Sequence, residues 1–141
     1  MRYEFAKTQD LDSIGELLKI CDLPSNDIRE YLEHFIVASD QSLLVGCIGL
    51  EPDVPLLRSL AVEPSYRGQG IAQELCARLL THATTLGIRD LYLLTTTADR
   101  FFDRAGFQRL DRSSAPENIR LHKQFSELCP SSAALMHRQL I

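Results

Sequence analysis

Leu57-Arg58-Ser59-Leu60-Ala61-Val62-Glu63-Pro64-Ser65-Tyr66-Arg67-Gly68-Gln69-Gly70-Ile71-Ala72 is the stretch from which the rest of the chain can be read. An apolar run with strand character ends at a proline turn, an arginine and two glycines follow, and a helical pattern then begins. The first turn of a helix leaves backbone N–H groups unpaired and carries a partial positive charge. Glycines at that point let an anion approach the backbone closely, so the segment reads as a cradle for a pyrophosphate.

Two other glycine-rich loops are excluded by residue type. A dinucleotide fingerprint needs a small third residue after Gly68 and Gly70, and that position is the bulky Gln73. A nucleoside-triphosphate loop needs Gly-Lys-Ser/Thr, and no lysine lies between Lys19 and Lys123. What remains, Arg67-x-x-Gly70-x-Ala72 after Leu-Ala-Val-x-Pro, resembles the acetyl-CoA signature of the GCN5-related N-acetyltransferase (GNAT) superfamily.

The 141 residues fit one domain spanning 1–141, and the content of 45% hydrophobic and 24% charged residues is that of a globular protein. With a net charge of −4 and no extended basic run, nucleic-acid and membrane partners are not expected. The N-terminus has no apolar signal region, so a cytoplasmic location is expected. Cys21, Cys47, Cys76 and Cys129 are widely spaced, as are His34, His82, His122 and His137, so no metal site is expected. Cys47 and Cys76 lie in apolar periodic segments and read as small core residues.

Along the chain, Met1–Ala6 reads as a strand. Asp10 caps a helix with Leu11, Ile14, Leu17, Leu18 and Cys21 on one face, and Pro24 breaks it. Ser25 starts a second helix with Ile28, Tyr31, Leu32 and Phe35 on one side. Phe35–Ala38 and Leu43–Leu50 flank a turn and read as a hairpin. Leu56–Val62 is the next strand. The helix after the cradle carries Ile71, Leu75, Leu79 and Ala83 and stops at Gly87. Leu91–Leu94 reads as a strand, Thr95–Thr97 opens a helix ending at Gly106, and Phe107–Leu110 is a further strand. Pro116 starts a helix that leads through Phe125 and Leu128 to Cys129-Pro130, and Ala133–Leu140 closes the chain as a strand. This order implies an α/β fold with a mixed sheet and helices on both faces. It also matches the acetyltransferase superfamily, which implies a mostly antiparallel sheet of six or seven strands with strands 4 and 5 splayed.

The resemblance also implies a site. Leu60, Ala61 and Val62 would hold the pantetheine arm and acetyl group of acetyl-CoA through main-chain bonds, and the Val62 N–H would stabilise the developing oxyanion. Arg67, Gly68, Gln69, Gly70, Ile71 and Ala72 would wrap the pyrophosphate. A second resemblance lies in Thr95–Phe107, which looks like the family segment ending Tyr-x-x-x-Gly-Phe. There Thr95 stands roughly in place of an asparagine that binds the arm. Phe102 stands in place of the tyrosine that protonates the departing thiolate, and a phenyl ring has no proton to give; Tyr66 and Tyr92 are other tyrosines in reach.

Glu51, ending a strand near the splay, is the expected general base for the acceptor amine; the alternative is a rim carboxylate facing solvent. Arg58 is unusual in a sheet face unless paired. It reads either as an ion pair with Glu51 or another acid, or as a bidentate partner for a substrate carboxylate. Arg112–Lys123, with Arg120 and His122, reads as an acceptor lid or as a solvated helix face. The Leu-Thr-Thr-Thr run and Cys129-Pro130-x-Ser132-Ala133 are similar to a narrower group, small acetyltransferases related to the amino-acid acetylating domain of N-acetylglutamate synthases and to acetyltransferases associated with arsenic resistance. That similarity implies a small-molecule amine with a carboxylate as acceptor and is compatible with a homodimer. A non-catalytic acyl-CoA-binding module and a protein-lysine or N-terminal acetyltransferase are the alternatives.

Overall fold

The computed structural model describes residues 1–122 and 133–140. The expected features at Lys123, Phe125, Leu128, Cys129, Pro130 and Ser132 lie outside the described residues. Among those described, seven strands form one sheet: β1 (Arg2–Phe5), β2 (Phe35–Asp40), β3 (Leu43–Glu51), β4 (Leu56–Val62), β5 (Asp90–Thr95), β6 (Gln108–Leu110) and β7 (Ala134–Gln139). Their spatial order is β1-β2-β3-β4-β5-β7-β6. Five helices accompany them: α1 (Leu11–Ile20), α2 (Ile28–Tyr31), α3 (Ile71–Thr85), α4 (Asp99–Arg104) and α5 (Glu117–Arg120).

Every strand pair is antiparallel except β4 and β5, which meet at one pair of residues, Leu56 and Tyr92. The Tyr92 N–H donates to the Pro55 carbonyl at 3.0 Å. Beyond that point the strands diverge, giving the splay expected of this architecture.

Each face of the sheet is covered because each helix presents an apolar stripe to it. Leu75, Leu79 and Ala83 of α3 pack with Ile36, Ile48, Leu50 and Leu57 on one side. On the other, Ile14, Leu17 and Leu18 of α1 and Ile28 of α2 pack with Phe35, Val37 and Cys47. One approach in this core demands a glycine: a Cβ at Gly49 would sit 2.6 Å from the Phe35 ring. Cys47 and Cys76 are buried, and burial pushes their thiols up to about 12 and about 11.

Three local expectations need correction. The Asp10 carboxylate does not cap α1; it accepts the Lys7 N–H at 2.8 Å and closes the preceding 3-10 turn. The second helix starts at Ile28 rather than Ser25 and gives way to a 3-10 turn over Leu32–His34. Phe35 therefore belongs to β2, where pairing with Gly49 and full burial outweigh continuation of a helical face. The helix expected at Thr95–Thr97 begins at Asp99, because the Thr95 hydroxyl oxygen accepts the Ala98 N–H at 2.9 Å and shapes the turn before α4. No helix among the described residues is long and apolar enough to cross a membrane.

Candidate active site

The β3–β4 register slips in the middle: Cys47 faces Ala61, yet Gly49 faces Arg58. Ser59 and Leu60 therefore oppose Ile48 alone, which is a β-bulge. Ser59 sits at φ 60°, a left-handed conformation that costs a non-glycine residue on the order of 1 kcal/mol or more. Past the bulge the Glu63 N–H donates to the Val45 carbonyl at 2.8 Å. The antiparallel alternation then makes Val62, opposite Gly46, a pair without mutual hydrogen bonds, so its N–H and C=O point away from β3. On that side β5 has already diverged. The Val62 carbonyl accepts from Arg67 Nε at 3.1 Å and from the Cys21 thiol at 3.8 Å, while its N–H faces the opening.

That opening is a cleft of about 660 Å³ between β4, the N-terminus of α3, the end of β5 and α4, closed on one side by the α1–α2 turn at Cys21–Pro24. Every residue expected to hold the cofactor lines it except Gln69. Gly68 and Gly70 adopt φ 80° and 82°. A Cβ at Gly68 would meet nothing within 4 Å, and one at Gly70 only the Gln73 side chain at 3.7 Å. The protein's own packing does not exclude side chains here. The backbone conformation disfavours them, and the open space lies over the free N–H groups of α3. The Arg67 guanidinium turns back toward Val62 and Cys21 Sγ, at 3.5 Å from the sulfur, and Ile71 is buried in the core; both can meet an anion here through the backbone.

Behind the bulge lies a buried ionic cluster. The Arg58 guanidinium binds both oxygens of Asp27, at 2.8 and 2.6 Å, and Glu51 Oε2 at 3.0 Å, and its Nε donates to the Ser59 hydroxyl at 2.9 Å. The side chains of Arg58 and Glu51 are 0% and 1% exposed. Glu51 Oε1 meets His122 Nε2 at 2.7 Å, and the Tyr31 hydroxyl also bonds to Glu51. Burial alone would raise the Glu51 pKa; the bond and charge of His122 and the charge of Arg58 outweigh it and hold the carboxyl below its usual range. Burial, then the Glu51 charge, pushes Tyr31 up to about 12.

Of the two readings of Arg58, the ion pair is present, with Asp27 as the principal partner, and Arg58 also lines the cleft. Glu51 is not on the cleft wall and is no solvent-facing rim carboxylate, and both its oxygens are engaged. Local sequence carried no signal for Asp27 or His122 as partners. Nor is the Arg112–His122 segment merely a solvated face: Ala115 and Ile119 are buried against Leu56 and Leu135 beneath the splay, and Arg112 donates to the Ala133 carbonyl at 2.9 Å.

The acetyltransferase (GNAT) domain family matches residues 32–109, more than half of the chain and the part that contains the bulge, the cradle and Phe102. The chain belongs to this family. An amino-acid acetyltransferase of Azotobacter vinelandii is 31% identical over 121 residues, 76% of this chain and 28% of that protein. One of Pseudomonas aeruginosa is 35% identical over 85 residues, 57% of this chain and 20% of that protein. This acetyltransferase-family chain thus spans less than a third of the length of those curated relatives. Its fold is that of the N-acetylglutamate synthase of Neisseria gonorrhoeae solved with coenzyme A and N-acetyl-glutamate, with TM-score 0.85, 21% identity, and coverage of 99% of this chain and 35% of that one. A Mycobacterium tuberculosis protein solved with CoA matches at TM-score 0.82 and 23% identity over 100% of both chains.

In this GNAT chain Phe102 is 4% exposed and packs edge-on to Phe101 and Phe107, with ring centroids 5.2 and 5.6 Å apart. The Tyr66 hydroxyl donates to Asp40 at 2.9 Å, and Tyr92 lies against His137 away from the cleft. Tyr66 lines the cleft with its hydroxyl engaged by Asp40, and Tyr92 does not line it. We expect Phe102→Leu to lose about 1 kcal/mol of stability from the aromatic contacts, with the shape of the pH–rate profile unchanged. A variant profile lacking its basic limb would show that a group on α4 does carry a catalytic proton.

Proposed function

We propose that this chain is an acetyl-CoA-dependent N-acetyltransferase that acetylates the amine of a small molecule, an amino acid or amino-acid analogue. The observation that carries the reading is the Val62 N–H, turned off the β3 ladder into a cleft that ends at the glycine cradle of α3. The residues fit acetyl-CoA: the free edge of β4 at Leu60, Ala61 and Val62 suits the amides of the pantetheine arm, and the N–H groups of Gly68–Ala72 suit the pyrophosphate. Bound acetyl-CoA supplies the thioester carbonyl. Val62 donates its N–H to the oxygen as charge develops there, a contribution of ~3 kcal/mol per donor in comparable sites. Loss of the thiolate without a dedicated acid costs about 2 kcal/mol at pH 7 for a thiol of pKa near ~8.5, small against the whole barrier. Solvent protonation therefore suffices where Phe102 replaces tyrosine.

The curated relatives' name, amino-acid acetyltransferase, supports the acceptor class. The test is CoA release with a panel of α-amino acids, their amides and simple amines, with products verified by mass. Turnover above thioester hydrolysis with the amino acids is the expected result. Tight acetyl-CoA binding with no turnover on any amine would instead support a non-catalytic acyl-CoA-binding module.

A further inference from the structure

Glu51 is paired with Arg58 and His122 and does not line the cleft. Among the described residues lining the cleft, one carboxylate is present, Asp22. It is exposed and sits in the turn after α1 at φ 57°. Its N–H donates to the Lys19 carbonyl at 3.1 Å and the next N–H, of Leu23, to the Leu18 carbonyl at 2.9 Å, so its backbone is held at the helix end. Its carboxylate has no hydrogen-bond or ion-pair partner among the described residues. The preceding residue, Cys21, touches the Val62 carbonyl, so this turn is docked on β4 where the free Val62 N–H emerges. The turn thus brings Asp22, on a helix end with fixed backbone and with no partner for its carboxylate among the described residues, to the wall of the cleft that Val62 also lines.

We propose that Asp22 anchors the ammonium group of the acceptor and accepts the proton it gives up. The inference rests on the amine-acetylating reading above and names how that reaction selects a cationic acceptor. One proton passes from the ammonium to Asp22 and on to solvent. The freed nitrogen lone pair forms the bond to the thioester carbonyl carbon. The C–S bond then breaks with its electron pair on sulfur, and the second nitrogen proton ends on the thiolate through solvent. Asp22 is returned ionised.

The competing explanation is that Asp22 is only a turn residue tolerant of positive φ. The two separate cleanly, because glycine is the better residue for that conformation. We expect Asp22→Gly to keep or raise Tm, and both Asp22→Gly and Asp22→Asn to raise the KM of an amino-acid acceptor about tenfold or more and lower kcat. The KM of acetyl-CoA should not move, and Asp22→Glu should recover part of the loss. Acceptor KM and kcat at wild-type values in Asp22→Gly and Asp22→Asn would overturn the proposal, as would a loss that tracks the folded fraction or falls equally on acetyl-CoA. A wild-type protein that acetylates no amine would overturn the proposed function itself, and the anchor with it, which is a different result from an active wild type with indifferent variants.

Discussion

Gly70→Asp is expected to lose affinity for acetyl-CoA by well over tenfold while remaining folded. Gly70 precedes α3 at φ 82° with only Gln73 nearby, so the added carboxylate meets open space. Its left-handed conformation costs about 1 kcal/mol relative to glycine, and an acidic side chain at a helix N-terminus offsets part of that. What it does not tolerate is a pyrophosphate over the same N–H groups, since it places a fixed negative charge and side-chain bulk where the ligand's charge belongs. Gly70→Asn has nearly the same shape without the charge and should lose much less. Calorimetric titration with CoA distinguishes them; an Asp variant that binds as well as the wild type would remove the cradle from this turn.

The largest loss of stability is expected at Arg58. Arg58→Met removes the cation between Asp27 and Glu51 and strands two carboxylates, one of them almost wholly buried. Breaking a buried pair from one side typically costs about 3–5 kcal/mol, on the order of 10 °C in Tm for a chain of this size. Adding Glu51→Gln should recover part of the loss, since the two changes act on one network. The bond from Arg58 holds Asp27 below the usual carboxylate range against the opposing effect of burial, and Glu51 is likewise held low. Groups held low in the folded state contribute stability that is fully present above their unfolded pKa values, near ~4, and is lost as pH falls through the folded values. Wild-type melts should therefore fall steeply below about pH 4, and Arg58→Met melts should lose the part of that decline that Asp27 contributes, while His122 still holds Glu51 low. If Glu51→Gln instead left Tm unchanged and lowered kcat a hundredfold, Glu51 would be a base rather than part of the scaffold behind the bulge.

The sequence by itself determined the features that depend on contiguous residues. Strand β4, the proline turn, the φ-demanding glycines and the start of α3 are one stretch of sixteen residues, and the free N–H groups follow from helix geometry alone. The departure at Phe102 was legible for the same reason, because a missing hydroxyl is a property of one side chain. The alternating and helical apolar patterns of β2, β3, α1 and α3 likewise carry their own burial.

Tertiary structure decided what depends on register and on segments far apart in the chain. The bulge falls at Ser59-Leu60, a place with no glycine or proline to announce it; it follows from how β4 must pair with β3 on both sides. The direction of the Val62 N–H follows from that register. Arg58 was legible as an odd residue with Glu51, 7 residues away, as a candidate partner, yet Asp27 lies 31 residues away and His122 lies 71 from Glu51. Nothing local distinguishes such acids from solvated ones. Asp22 drew no reading from the sequence, and only the docking of that turn on β4 puts it on the cleft wall. Local conformation is set by each residue's own sterics and hydrogen-bonding groups, whereas the company a charge keeps is set by which surfaces the apolar core brings together.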